Sequence, residues 1–170
     1  MPNKKKHSLA IVLFTLLGAL MAGHALYHYS LLPDRVATHF GFSGAPDAWG
    51  PKTVFFFWYF MLTLIVTGGY ALIQRAFSQK HTSWINIPNK KYWLAPERLD
   101  ETLDYLKRGL LLIGSGTLLM VLDLVHQSFQ VSLGLASKLT HIWTSAAVYI
   151  AFCVIWVAAI YRRFTSPPTV

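Results

Sequence analysis

Histidine and aspartate side chains that could bind a ligand occur inside or beside the apolar segments of this chain. His24 and His28 are four residues apart, a spacing that places two side chains on one face of a helix. Asp123 and His126 are three residues apart, and Asp123 is a carboxylate within an apolar run. Because imidazole nitrogens and carboxylate oxygens bind divalent metals, these two pairs are candidates for a metal site or a pH-responsive polar network.

Four apolar runs must position these residues, at about residues 8–27, 54–73, 109–129 and 141–161. A helix of about 20 apolar residues crosses the roughly 30 Å hydrocarbon core of a bilayer. The chain is 54% hydrophobic and 13% charged, about half the charged fraction of an ordinary soluble domain. The pattern predicts an all-α integral membrane protein with four transmembrane helices and a single membrane domain over residues 1–170.

The basic residues predict the orientation of the spans. With the N-terminus in the cytoplasm, twelve of the fifteen lysine and arginine residues lie on the cytoplasmic side, and Arg35, Lys52 and Lys138 lie outside. The positive-inside rule then places both termini in the cytoplasm. The net charge of +8 is explained by contacts with lipid headgroups beside the spans, so no nucleic-acid partner is expected. We expect the first span to be retained rather than cleaved as a signal peptide.

The outer loop, at about residues 28–53, contains residues that fix the backbone. Pro33-Asp34 and Gly44-Ala45-Pro46-Asp47 are turn signals, and residues 36–42 between them favour a short strand that presents His39. We therefore expect an ordered outer loop, in which His39, Asp47 and Trp49 contribute to a ligand-binding or polar site.

The inner loop, at about residues 74–108, predicts an amphipathic helix. Leu99, Leu103 and Leu106 recur at helical spacing after Pro96, which suits a first helical turn. We expect this helix to lie on the membrane surface and to lead into the third span. Trp93 is expected to anchor the same loop at the interface.

Small residues inside the spans predict close approach of helices. Gly68-Gly69 and Gly114-Ser115-Gly116 are the main examples, and Cys153, the single cysteine, is interpreted as a packing residue.

Two loop motifs resemble a known bacterial membrane family, the domain of unknown function 1648. The outer-loop pattern is Leu-Pro-Asp-Arg…His-Phe…Ser-Gly…Pro-Asp…Trp-Gly-Pro-Lys, and the inner-loop motif Asn-Ile-Pro-Asn-Lys-Lys-Tyr-Trp-Leu-Ala-Pro-Glu-Arg resembles that of the short members. The likeness covers about residues 8–108. The domain also occurs in SdpI-type immunity proteins, which protect a bacterium against a secreted toxin and take part in signalling. The resemblance implies a bacterial inner-membrane protein and places His39 in the family motif.

Three classes of function follow from these features. The leading hypothesis is an accessory protein for envelope sensing, signalling or toxin immunity, whose outer loop binds an extracytoplasmic peptide or protein. The alternative is a small transporter or ion-coupled carrier that uses Asp123 and the outer-side histidines and forms a homo-oligomer, because four spans are few for one carrier. A metal-dependent enzyme is least favoured, since the common catalytic motifs are absent from the sequence and no catalytic residue can be assigned.

The sharpest structural prediction concerns depth in the bilayer. Asp123 and His126 lie near the outward end of the third span, and His24 and His28 lie near the outward end of the first. The depths of the two pairs in the bilayer agree within about one helical turn. We expect a contact between the two pairs, with His39 folding over them from the outer loop. The candidate ligands for a divalent metal are thus His24, His28, His39 and His126. The competing interpretation is that each histidine lies separately at the interface and that Asp123 joins helices by hydrogen bonds.

Overall fold

The computed structural model describes residues 2–78 and 82–166, with side chains from Ser8 onward except that of Ser78. Its elements in chain order are α1 Pro2–Leu31, β1 Arg35–Phe40, β2 Pro46–Pro51, α2 Lys52–Ser78, α3 Lys90–Trp93, α4 Pro96–Ser132 and α5 Ile142–Thr165. In this part of the chain, α1, α2, α4 and α5 are long and apolar enough to cross a membrane. The prediction of four such helices is confirmed, and each helix extends beyond the predicted span at one or both ends.

Helix α4 is the centre of the bundle, because α1, α2 and α5 all pack against it. Apolar side chains of α1, α2 and α4 form the main buried cluster, which contains Phe14, Met21, Tyr59, Leu111 and Leu118. Large apolar side chains on the opposite faces remain exposed, as in the case of Ile155 on α5 with 68% exposure. Such extensive apolar surface is typical of helices that contact lipid.

Glycines of α4 allow the neighbouring helices to approach closely. A Cβ atom at Gly114 would lie 2.8 Å from Phe14 of α1, and one at Gly116 would lie 2.8 Å from Phe152 of α5. The packing role predicted for this segment is therefore confirmed. The same prediction was wrong for Gly68 and Gly69, because a Cβ atom at either would meet no described atom within 4 Å.

The predicted outer loop is an antiparallel β-hairpin rather than a single strand. Strands β1 and β2 pair from Arg35 with Pro51 to Phe40 with Pro46, with an irregularity around Thr38. Gly44 in the turn has a φ of +81°, a conformation that favours glycine. The all-α prediction thus needs one correction, since the turn residues bring two short segments together. We call this side of the bundle the hairpin end.

At the opposite side of the bundle, which we call the basic end, the predicted surface helix is not a separate element. Residues 96–108 are the first turns of α4 itself, and Leu103 and Leu106 are buried in a protein cluster with Phe164 and Trp93. Trp93 is only 8% exposed and its indole N–H donates to the carbonyl of Phe164 over 3.0 Å. The apolar stripe and Trp93 therefore contact the C-terminal turns of α5 instead of lipid.

Candidate metal centre at the hairpin end

Three histidines meet at the hairpin end, and we call them the histidine cluster: His24, His28 and His126. Each offers a ring nitrogen, and the three nitrogen atoms lie within 4.8 Å of one another. Helix α1 supplies two of them on one face, because His24 and His28 are one turn apart, and α4 supplies the third. The predicted contact between the first and third spans is confirmed by the 3.2 Å distance between His24 Nε2 and His126 Nδ1.

The hydrogen bond of His28 to the backbone fixes the orientation of its ring. His28 Nδ1 lies 2.9 Å from the carbonyl oxygen of His24, so this nitrogen must carry the proton and donate it. The neutral ring then has its lone pair on Nε2. A backbone carbonyl that fixes the tautomer in this way is a common outer-shell partner of metal-binding histidines.

The contacts of the other two rings also fit neutral imidazoles. The side-chain amide nitrogen of Gln130 lies 3.2 Å from His126 Nε2. With the amide in this orientation it donates to Nε2, and the matching tautomer of His126 carries its proton on Nδ1 and donates it to His24 Nε2. The proton of His24 is then on Nδ1, which is buried and has no hydrogen-bond partner among the described residues.

A change of tautomer in His126 would make the lone pairs of two ring nitrogens available to a metal ion. If the proton of His126 moves from Nδ1 to Nε2 and the Gln130 amide turns over, the amide oxygen accepts from Nε2. Lone pairs of His24 Nε2 and His126 Nδ1 then face each other. Two nitrogens bound to one tetrahedral zinc at 2.0–2.1 Å are about 3.3–3.4 Å apart, close to the 3.2 Å separation seen here.

One buried aromatic ring packs against two residues of the histidine cluster. Phe129 of α4 is fully buried and stacks on His24, with ring centroids 5.3 Å apart and planes 9° apart. The ring of His28 lies 5.0 Å from the same phenyl group. Phe129 also packs against Leu32 and Val36 of the hairpin side, so the cluster is joined directly to the base of the hairpin.

The three rings differ in their access to solvent. His28 is buried, His24 is half-buried and His126 is exposed. A bound ion could therefore keep one coordination position open towards the surface, which is the arrangement of zinc sites with three protein ligands.

Asp123 is not part of the histidine cluster, although the sequence predicted one site that contains it together with the histidines. Its Oδ2 atom accepts hydrogen bonds from Gln127 Nε2 over 2.7 Å and from Ser145 Oγ over 2.6 Å. The Gln127 amide oxygen in turn accepts from the backbone N–H of His141, which precedes α5. The carboxylate thus joins α4 to the N-terminal turn of α5, where a helix dipole favours negative charge. This is the helix-joining role named as the competing interpretation.

His39 does not fold over the cluster. It lies on the exposed face of β1, where its Nδ1 atom contacts Asp47 Oδ1 and 71% of its side chain remains exposed. The physical reason is the irregular pairing between Ala37 and His39, because a regular strand would place His39 on the same face as the buried Ala37. Trp49 is half exposed on β2, and its carbonyl accepts from Arg35. The residues predicted as one site therefore form three separate groups.

Sequence reasoning missed the residues that complete these groups. Gln127 follows Asp123 by four positions and Gln130 follows His126 by four, a spacing that brings side chains together on a helix. That spacing could have identified both amides. The contact of Ser145 with Asp123 joins residues 22 positions apart and depends on the packing of α5.

Comparison with known proteins gives one match. Residues 16–63 match the family model described as Domain of unknown function (DUF1648). No curated protein and no solved structure matches the chain. The matched segment contains His24, His28, the hairpin and the first turns of α2, whereas the inner-loop motif and His126 lie beyond it. The segment from residue 16 to residue 63 is thus similar to a domain whose function is unknown.

Proposed function

We propose that the protein binds a divalent transition metal ion, zinc in the first instance, through His24, His28 and His126. The observation that carries the proposal is the geometry of the cluster, with two nitrogens 3.2 Å apart and a third oriented by a backbone carbonyl. Histidine nitrogens suit zinc, copper and nickel better than calcium or magnesium, which prefer oxygen ligands.

We further propose that the hairpin end faces the outside of a bacterial inner membrane and that metal binding serves envelope sensing or signalling. Phe129 supports this idea, since it contacts both the cluster and the base of the hairpin. A bound ion would hold the ends of α1 and α4 together beneath the hairpin. The exposed hairpin face, with His39 and Asp47, would then present a fixed surface to a peptide or protein ligand.

Ion-coupled transport is a less favoured use of the same residues. A carrier needs polar groups along a path through the bilayer. Beneath the cluster lies an apolar core, with Phe14, Leu17 and Leu118 buried between α1, α2 and α4. The arrangement therefore supports binding at one end of the bundle better than passage through it, and a liposome assay that detects flux of zinc would reverse this preference.

Zinc binding can be measured on the purified protein after treatment with a chelator. We expect one zinc ion per chain by equilibrium dialysis and a higher unfolding temperature when zinc is added, because a ligand that binds the folded state stabilises it. His24→Ala, His28→Ala and His126→Ala should each weaken binding by more than the about 10- to 100-fold that loss of an outer-shell partner costs.

His39→Ala is the matched control, since it removes a histidine of the hairpin end that lies outside the cluster. This variant should bind zinc as the unmodified protein does. Equal losses in His39→Ala and His126→Ala, or no bound zinc in the unmodified protein, would refute the metal centre.

A further inference from the structure

A groove of about 500 Å³ lies between α4 and α5, with Leu13 of α1 on its wall. Its volume is within the usual range of small-molecule sites, about 300–1,000 Å³. Leu112 and Asp123 both line it and are eleven positions apart on α4, which corresponds to a length of about 16 Å. The groove is therefore long enough to hold an extended alkyl chain of about twelve carbons.

The polar groups of the groove are concentrated near its hairpin end. Asp123, Thr144 and Ser145 lie there, while Leu112 and Phe152 lie nearer the basic end. Two polar residues of the middle part are already satisfied within the protein: Ser115 donates to the carbonyl of Leu111, and the Tyr149 hydroxyl is hydrogen-bonded to Thr117. A ligand would thus meet one polar end and an apolar remainder.

The carboxylate gives this polar end its chemical preference. Asp123 Oδ2 accepts the bonds of Gln127 and Ser145, and Oδ1 receives neither of them. Among the described residues Asp123 forms no ion pair, and neither lysine nor arginine lines the groove. A carboxylate in an apolar setting attracts a cation strongly, because the low dielectric weakens screening.

We propose that this groove binds an amphiphile with one alkyl chain and a primary ammonium head. The ammonium group lies at Asp123 and Thr144, and the chain extends along Leu119 and Val148 towards Phe152. A fatty acid is disfavoured because its carboxylate would meet Asp123. A phospholipid is disfavoured because its phosphate would lie beside the same carboxylate with no basic side chain of the groove to bind it.

The test uses the detergent-purified full-length protein and a photoreactive dodecylamine that carries a diazirine in its chain. We expect crosslinks within residues 112–123 and 144–152, identified by mass spectrometry. An excess of dodecylamine should reduce this labelling at least tenfold, whereas the same excess of dodecanoate or phosphatidylethanolamine should leave it unchanged.

Two pairs of variants separate the roles of charge and shape. Asp123→Asn should reduce labelling at least tenfold, and Asp104→Asn on the same helix should not. Val148→Trp should fill the groove and reduce labelling, whereas labelling of the Val154→Trp variant should be unchanged. Both valines are exposed on α5, by 65% and 60%, but only Val148 lines the groove. The valine pair does not alter the hydrogen bonds of Asp123 and remains informative if Asp123→Asn fails to fold.

Any of three results would overturn the proposal. Labelling spread evenly over the lipid-facing helices would show that no site exists. Competition by dodecanoate as strong as that by dodecylamine would show that the carboxylate does not select the head group. Stronger competition by phosphatidylethanolamine would assign the groove to a two-chain lipid.

Discussion

At Gly44 the backbone and the surrounding structure both exclude a side chain. Its φ is +81°, and a Cβ atom would lie 2.7 Å from the carbonyl oxygen of Leu139 in the α4–α5 turn. The same turn donates its Leu139 N–H to the carbonyl of Gly44 over 2.8 Å. Gly44 therefore serves both the hairpin turn and its attachment to the bundle.

Gly44→Ala should consequently destabilise the protein more than Gly134→Ala. Both glycines have a positive φ, which costs an alanine about 1–2 kcal/mol, but a Cβ atom at Gly134 would meet no described atom within 4 Å. Thermal unfolding of the two variants in detergent measures the difference. Equal losses of stability would show that the contact with Leu139 relaxes without cost.

Among the cluster residues, His28 shows how a local interaction prepares a site. A histidine in a helix can donate Nδ1–H to the carbonyl four residues earlier, and in this chain that residue is His24. This contact within one helix fixes the tautomer of one ring, and the four-residue spacing places a second ring beside it, with centroids 4.2 Å apart. The partner from α4 cannot be found by such local reasoning.

At the scale of elements, two serines of α4 attach the hairpin to the bundle. The Ala37 N–H of β1 donates to Ser132 Oγ over 3.0 Å, and Ser128 Oγ donates to the Ala37 carbonyl over 3.1 Å. These hydroxyls take the place of a third strand and cover the free edge of β1. Ala37 is fully buried, so its backbone groups depend on these partners.

The double variant Ser128→Ala/Ser132→Ala should therefore loosen the hairpin. A buried backbone group without a partner costs about 1–3 kcal/mol, and 1.4 kcal/mol corresponds to a factor of ten. We expect amide hydrogens of residues 35–51 to exchange at least about tenfold faster, as measured by mass spectrometry. Ser30→Ala, which removes an exposed bond to the Tyr27 carbonyl, is the control and should leave hairpin exchange unchanged. Unchanged exchange in the double variant would mean that other contacts alone hold β1.

At the scale of the whole molecule, the charges predict which end of the bundle faces the cytoplasm. Single cysteines can test this in a Cys153→Ala background, which removes the one native thiol. Ser43 in the hairpin turn and Ser83 near the basic end are both exposed. Because most basic residues flank the basic end, Ser43→Cys should react with an impermeant maleimide in intact cells, and Ser83→Cys only after permeabilisation. The opposite pattern would invert the proposed orientation.

The membrane helices and the pairs of side chains within one helix can be predicted from residues that are close together in the sequence. A helix of about 20 apolar residues in lipid satisfies its backbone hydrogen bonds internally, almost independently of the other helices. The apolar runs therefore predict α1, α2, α4 and α5. Spacings of three or four residues likewise indicated that His24 lies beside His28. The rise per residue of a helix also correctly places His126 at the level of His24.

The contacts among the polar residues, in contrast, depend on how the helices pack against one another. Depth fixes a residue along the bilayer normal but not the rotation of its helix, and this rotation turns Asp123 towards Ser145 of α5 while His126 faces α1. Irregular pairing between Ala37 and His39 similarly turns His39 outwards, whereas a regular strand would place it on the face of the buried Ala37. Packing of one surface against another sets these directions, and no spacing within a single segment contains that information.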